Sequence, residues 1–189
     1  MNQSNDRLWS CPQFYYINMK PLITEKQIRE KVFELAEGIA KDNRSGKLHV
    51  LFVLKGAFVF CADIVRALSS HGIDITLDYI IAKSYAGTES TGNVKCSMDI
   101  EIKGKEVLLL EDIIDTGRTL KRLKEELMKM KPKSLKTVCL LDKPSRRVVD
   151  IKPEYVGFEI DDSFVVGYGL DCDEQYRDLP YIAVIEKIK

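Results

Sequence analysis

Apolar positions along the chain follow two rhythms. Over residues 24–42, Ile28, Val32, Leu35, Ala36 and Ile39 recur at the three-and-four spacing that lines one side of a helix. Thr24 and Gln27 form a capping-box pattern that gives this helix a defined start. Over residues 48–54 the rhythm becomes an unbroken apolar run, which predicts a strand buried on both faces of a parallel sheet. Lys55-Gly56 breaks that run, and a second helix is expected over about 57–68. Residues 75–81 read as the next strand. The segment 83–93 after it, with Gly87 and Gly92, is too long and too charged for a simple turn, and such loops are commonly functional.

A strand is expected after that loop, before a turn at Gly104-Lys105. Residues 107–110 form another buried strand that ends in Glu111-Asp112, and Asp115-Thr116-Gly117 leads into a helix over about 119–131, stopped by Pro132. The strand 138–141 ends at Asp142-Lys143-Pro144, and shorter strands are expected at 155–158, 164–168 and 181–185. Alternating strands and helices without repeats or linkers predict the α/β class. The expected architecture is a single domain over 1–189, with a mostly parallel twisted sheet flanked by helices. Its core spans about 22–143, and a small appended hood is drawn from the N-terminal segment and about 150–189.

Composition narrows the function classes. With 189 residues, 45% of them apolar and 31% charged, the chain has the balance of one soluble globular domain, not of a disordered or collagen-like chain. The 29 basic residues cancel the 29 acidic ones, which leaves no electrostatic footprint for a nucleic-acid backbone. No apolar run approaches the roughly 18 residues of a membrane span, and the polar residues 1–7 predict no secretory signal. The expected location is the cytoplasm, with neither nucleic acid nor membrane as partner. The five cysteines, Cys11, Cys61, Cys96, Cys139 and Cys172, form no C-x-x-C pair and read as reduced, mostly buried thiols. The two histidines, His49 and His71, have no second ligand at metal spacing and read as structural.

In open parallel sheets, ligands gather at the carboxyl ends of strands. Such ends fall at Lys55-Gly56, Lys83-Ser84-Tyr85, Glu111 to Thr119, and Asp142-Lys143. The third places acids where the chain leaves the sheet, then a glycine and hydroxyl residues at a helix start, where free N–H groups and the helix dipole favour an anion. Carboxylates accept from sugar hydroxyls, and Thr116, Gly117 and Thr119 offer small donor-rich contacts to a phosphate monoester. The combination describes a site for a ribose 5-phosphate.

Residues 107–120, reading Val-Leu-Leu-Leu-Glu-Asp-Ile-Ile-Asp-Thr-Gly-Arg-Thr-Leu, closely resemble the phosphoribosyl diphosphate signature of the type I phosphoribosyltransferases. Downstream, 141–146, 152–160, 164–171 and 176–179 look like the hypoxanthine-guanine branch of that family, and the resemblance spans about 48–185. It implies transfer of a phosphoribosyl group to N9 of hypoxanthine or guanine, with magnesium required and a homodimer or homotetramer as the assembly. By the same resemblance, Glu111 and Asp112 hold the ribose hydroxyls, Asp115 is the catalytic acid beside purine N7, and Asp115, Thr116, Gly117, Arg118 and Thr119 form the 5-phosphate loop. Lys143 donates to the 6-oxo group, Phe164 stacks on the base, and Val165 meets the base edge through its backbone. Asp171 is a magnesium-associated carboxylate that completes a metal set with Glu111 and Asp112. Arg177 binds pyrophosphate, Leu54-Lys55-Gly56 is the pyrophosphate loop with a cis peptide, and Ser84 and Tyr85 open a loop that closes over the reaction.

The chain departs from the family pattern at Ala57, where a second glycine is common, at the variable loop position Arg118, and at Cys172, where an aromatic residue is frequent. Two other functions share parts of the pattern. One is a nucleotide-sensing RNA-binding regulator on the same fold. The other is a phospho-accepting signalling domain, with Glu111-Asp112 as its acid pair and Asp142 as the acceptor. Arg177 also has a structural reading, as a partner of Asp173, Glu174 or Asp178.

Overall fold

A computed structural model describes residues 18–81 and 100–186. The amphipathic stripe becomes helix α1 (Glu25–Asp42), which buries Ile28, Val32, Leu35, Ala36 and Ile39. Its capping box is complete: Gln27 N donates to Thr24 Oγ1, and Thr24 N donates to Gln27 Oε1 at 2.9 Å. The apolar runs become strands β2 (Lys47–Leu54), β3 (Asp74–Ile81), β4 (Glu106–Ile114), β5 (Ser134–Asp142) and β6 (Tyr155–Glu159), numbered after β1 (Asn18–Ile23). These five form one all-parallel sheet in the order β3-β2-β4-β5-β6.

Alternation within the runs explains why they are continuously apolar. Leu48 and Val50 of β2, Leu108 and Leu110 of β4, and Val138 and Leu140 of β5 share a core with α1 and α2 (Phe58–Ser70). Leu51 and Val53, Val107 and Leu109, and Cys139 point the other way, into a core with Leu120, Leu123 and Leu127 of α3 (Arg118–Lys129). Helices on both faces make the central strands mostly apolar, with His49, Glu111 and Thr137 as buried polar exceptions, and each buried Leu or Val contributes about 1.5–3 kcal/mol.

The chain ends form a separate antiparallel sheet, β1-β8-β7, from β7 (Val165–Val166) and β8 (Ile182–Glu186). The boundary differs from the expected one: β6 is an edge strand of the parallel sheet rather than part of a hood starting near 150. Residues expected as a strand at 164–168 keep only β7, because Gly167 and Gly169, both at φ +100, turn the chain instead. Glu111 and Asp112 lie within β4 rather than beyond it. The strand expected before Gly104 falls mostly outside the described residues. Cys61 and Cys139 are free and buried, whereas Cys172 is disulfide-bonded, contrary to the expectation of five thiols.

Candidate active site

Four groups of side chains meet where the parallel strands end. After β2, the Leu54-Lys55 peptide is cis. Gly56 follows, packed so closely against β4 that a Cβ on it would lie 1.6 Å from Asp112 Oδ2. Ala57 is fully buried in a right-handed helical conformation and starts α2 without needing a glycine.

At the end of β4, Glu111 is 5% exposed and Asp112 is half-buried. Burial, then the neighbouring Asp112 charge, pushes the Glu111 carboxyl well above its ordinary range. Burial likewise raises Asp112 to about 6, and this outweighs the opposing effects of Ile113 N, which donates at 2.9 Å, and of Arg177; Asp171 adds to the rise. Two acids that resist ionisation are poised for a cation or for hydroxyl donors. The loop beyond them turns at Gly117, whose φ of +79 suits glycine, and a Cβ there would meet Arg147 Cδ and Ile151 Cγ2, both at 2.8 Å. Gly117 caps α3, whose first turn holds no acid and leaves Arg118 and Thr119 exposed, a disposition suited to an anion.

At the end of β5, Lys143 is 7% exposed and donates from Nζ to the Ser163 carbonyl at 2.8 Å. Burial pulls its pKa down, against the raising influence of Asp115 and Asp162. One N–H is thus spent on fixing the ammonium beside Phe164, and two remain for a ligand acceptor. Phe164 is itself held by Ile185 N, which donates to its carbonyl at 3.0 Å. Val165 is buried and pairs with Val184.

From the hood, Arg177 donates through Nη1 to Gly169 O at 2.8 Å and pairs through Nη2 with Asp171 at 2.8 Å and Glu174 at 3.4 Å. Its Nε is buried with no hydrogen-bond partner in the structure. Gly169 presses on the turn after β2: a Cβ there would lie 2.1 Å from Gly56 O. Glu174 also pairs with Lys55 at 2.9 Å, so one carboxylate bridges Arg177 and a side chain of the expected pyrophosphate loop.

Expected site residues from β2, β4, β5 and the hood therefore share one end of the sheet. Ser84 and Tyr85 lie outside the described residues. Among the described residues, no three acids, histidines or cysteines gather as a ready-made metal cage. Asp142, the acceptor in a signalling reading, is buried and paired with Arg147. Sequence reasoning missed two members: Arg146, whose Nε donates to Asp115 Oδ1 at 2.9 Å, and Arg147, whose Nη1 donates to the Asp115 carbonyl at 2.6 Å; of the acids expected as structural partners of Arg177, Glu174 pairs with it. Two consecutive arginines just past a strand end were the available signal for the missed pair.

Residues 23–173 match the family model described as phosphoribosyl transferase domain. The hypoxanthine-guanine phosphoribosyltransferase of Lactococcus lactis subsp. lactis (strain IL1403) is 44% identical over 170 residues, 88% of this chain and 91% of that protein. Its namesake in Bacillus subtilis (strain 168) is also 44% identical over 170 residues, 88% of this chain and 93% of that protein. Among solved structures, the Bacillus anthracis hypoxanthine-guanine phosphoribosyltransferase, with HEPES in its active site, superposes with a TM-score of 0.82 at 49% identity, covering 91% of this chain and 100% of that one. The Trypanosoma cruzi hypoxanthine phosphoribosyl transferase gives 0.85 at 38% identity, covering 93% and 95%.

Proposed function

The chain belongs to the phosphoribosyltransferase family, and from that membership we propose that it is a purine salvage enzyme. It transfers the phosphoribosyl group of phosphoribosyl diphosphate to N9 of hypoxanthine or guanine, giving IMP or GMP and pyrophosphate. The observation that carries the reading is the pairing of two recognition units on adjacent strands. β4 carries the buried Glu111 and half-buried Asp112 and leads into an anion-suited helix start, while β5 leads directly to Lys143, fixed by Ser163 O beside Phe164.

In this reading Glu111 and Asp112 hold the ribose hydroxyls, and Thr116, Gly117, Arg118 and Thr119 cradle the 5-phosphate. Lys143 donates to the 6-oxo group, Phe164 stacks on the ring, and Val165 meets the base edge through its backbone. As the C1–O bond to pyrophosphate breaks, the sugar gains positive charge and the leaving group negative charge. Arg177, with an unpartnered Nε, and the backbone of Leu54, Lys55 and Gly56 receive the leaving group. The N9–C1 bond forms as the proton at N7 is taken up by Asp115, whose carboxylate makes N9 more nucleophilic. Ser84 and Tyr85 belong to the loop that excludes attacking water.

Magnesium fits the oxygen-only donors at this end of the sheet: Asp112, Glu111 and Asp171 supply one or two carboxylates, and substrate oxygens complete the shell such an ion prefers. Held there, such an ion would supply charge neutralisation for the pyrophosphate. Assembly as a homodimer or homotetramer and residence in the cytoplasm belong to the same proposal, and light scattering of the purified chain checks the assembly. No helix of the described residues is long and apolar enough to cross a membrane. No feature of the site favours the RNA-binding alternative.

The test is pyrophosphate release from phosphoribosyl diphosphate and hypoxanthine, with magnesium and after chelation. Release that requires both the base and magnesium is expected. Absence of release with either 6-oxopurine would remove the reading.

A further inference from the structure

The 3-10 turn Pro144–Arg146 follows Lys143 directly and returns Arg146 over the base-recognition end of the sheet. Its Nε donates to Asp115 Oδ1 at 2.9 Å, and its Nη1 donates to Asp162 Oδ2 at 3.2 Å. One guanidinium thus joins the loop after β4 to the segment just before Ser163, whose carbonyl fixes Lys143. The next residue completes the hold, because Arg147 Nη1 donates to the Asp115 carbonyl at 2.6 Å and Val148 N donates to Thr116 O at 3.1 Å. Asp115 is therefore held at its backbone by Arg147 and at one carboxylate oxygen by Arg146.

A carboxylate rotates about its last bond, so unrestrained it presents either oxygen, or neither, to a purine. The planar guanidinium fork is always charged and pre-organised, which suits it to fixing such a group. N7 and the 6-oxo oxygen lie side by side on one purine edge. The Asp115 carboxylate and the Lys143 ammonium must therefore be placed together, and Arg146 links the segments that carry them.

We infer that Arg146 is a positioning residue for phosphoribosyl transfer: braced by Asp162, it holds Asp115 Oδ1 and reserves Oδ2 for the purine N7–H. The inference rests on the role proposed above for Asp115. Arg146 touches neither the sugar nor the pyrophosphate in this scheme, so its removal acts on turnover and not on phosphoribosyl diphosphate binding. Misplacing a catalytic group by about an ångström costs up to about 10²-fold, so Arg146→Gln is expected to lower kcat about 10- to 100-fold in pyrophosphorolysis, and less in synthesis. Lysine supplies the charge without the fork, and Arg146→Lys falls between the two.

The test is a double-mutant cycle on the full chain with Arg146→Gln, Asp115→Asn and the pair, reading kcat and KM in both directions. The expected result is that Arg146→Gln changes KM for phosphoribosyl diphosphate by less than about twofold, and that its kcat effect shrinks to under about twofold in the Asp115→Asn background. Asp162→Asn, which alters neither Asp115 nor Arg146, is expected to lower kcat in the same direction by a smaller factor, and it carries the test should Arg146→Gln fold poorly. Full multiplicative loss in the double variant, or an unchanged kcat in both Arg146→Gln and Asp162→Asn, overturns the inference. A neutral Asp115→Asn instead removes the role of Asp115 itself, which separates failure of the premise from failure of the inference.

Discussion

Gly56 turns its backbone against the carboxylate of Asp112: a Cβ on the glycine would lie 1.6 Å from Oδ2 and 2.5 Å from Cγ. The turn after β2 and the acid of β4 are thus a single fitted unit, and the glycine is required for space, since its φ is not in the left-handed region. Gly56→Ala forces either the loop or the carboxylate to move. The expected outcome is a loss of about 10²-fold or more in kcat/KM, because both pyrophosphate and ribose contacts shift, with a stability cost of about 1–3 kcal/mol. Steady-state kinetics beside thermal melting check it, and near-normal activity would show that the fit is dispensable.

Burial at Asp112 has a sign that can be measured. Its carboxyl titrates near 6 in the folded protein against an ordinary 3.8. Its contribution to ligand-free stability is therefore fully present below about 3.8 and is lost as pH rises through about 6. Glu111 shifts in the same direction. Binding of phosphoribosyl diphosphate with magnesium needs the ionised forms, so affinity should weaken as pH falls below about 6, by up to about tenfold per unit for one proton. Calorimetric titrations at several pH values test this. Asp112→Asn should raise ligand-free stability by about 0.5–2 kcal/mol while disabling the enzyme, as is common where function stores strain. A lower melting temperature in that variant would contradict the account.

Lys143 sits buried with its ammonium already fixed by Ser163 O, so it selects by donor and acceptor pattern rather than by shape. Lys143→Ala should lower kcat/KM for hypoxanthine by about 10- to 100-fold, the equivalent of about 1–3 kcal/mol, with KM for phosphoribosyl diphosphate nearly unchanged. Equal losses on both substrates would move Lys143 out of the base site.

Glu174 bridges the side chains of Lys55 and Arg177, so its charge lies beside the groups assigned to pyrophosphate, the Arg177 guanidinium and the Lys55 loop. Its side chain is 64% exposed, and exposed pairs are worth only about 0–1 kcal/mol. Glu174→Gln should therefore tighten pyrophosphate binding modestly, by about two- to fivefold. Weaker binding in that variant would assign Glu174 to supporting the two cations instead.

Much of this arrangement was legible in the sequence because it rests on local signals. The capping box at Thr24, the unbroken apolar runs of β2, β4 and β5, and the acid-rich end of β4 each depend on neighbours in the chain. What escaped depends on partners far apart. Arg146 and Asp115 are 31 residues from each other, and neither end announces the pair. β6 looked like part of the hood because its residues 155–158 are only half-buried at the sheet edge, without the density of a central strand. The strand expected at 164–168 stops at Val166 because Gly167 and Gly169 both take positive φ, Gly167 packing against Tyr181 O and Gly169 against Gly56 O.

The most direct measurement offers the purified chain hypoxanthine, guanine, xanthine and adenine in turn, with phosphoribosyl diphosphate and magnesium, and follows the nucleotide formed. Lys143 at the end of β5, able only to donate, should accept the 6-oxo bases and oppose the 6-amino group of adenine. Formation of IMP or GMP with adenine left unconverted is the expected result. Conversion of adenine at a rate equal to that of hypoxanthine, or no nucleotide from any of the four, would contradict the account.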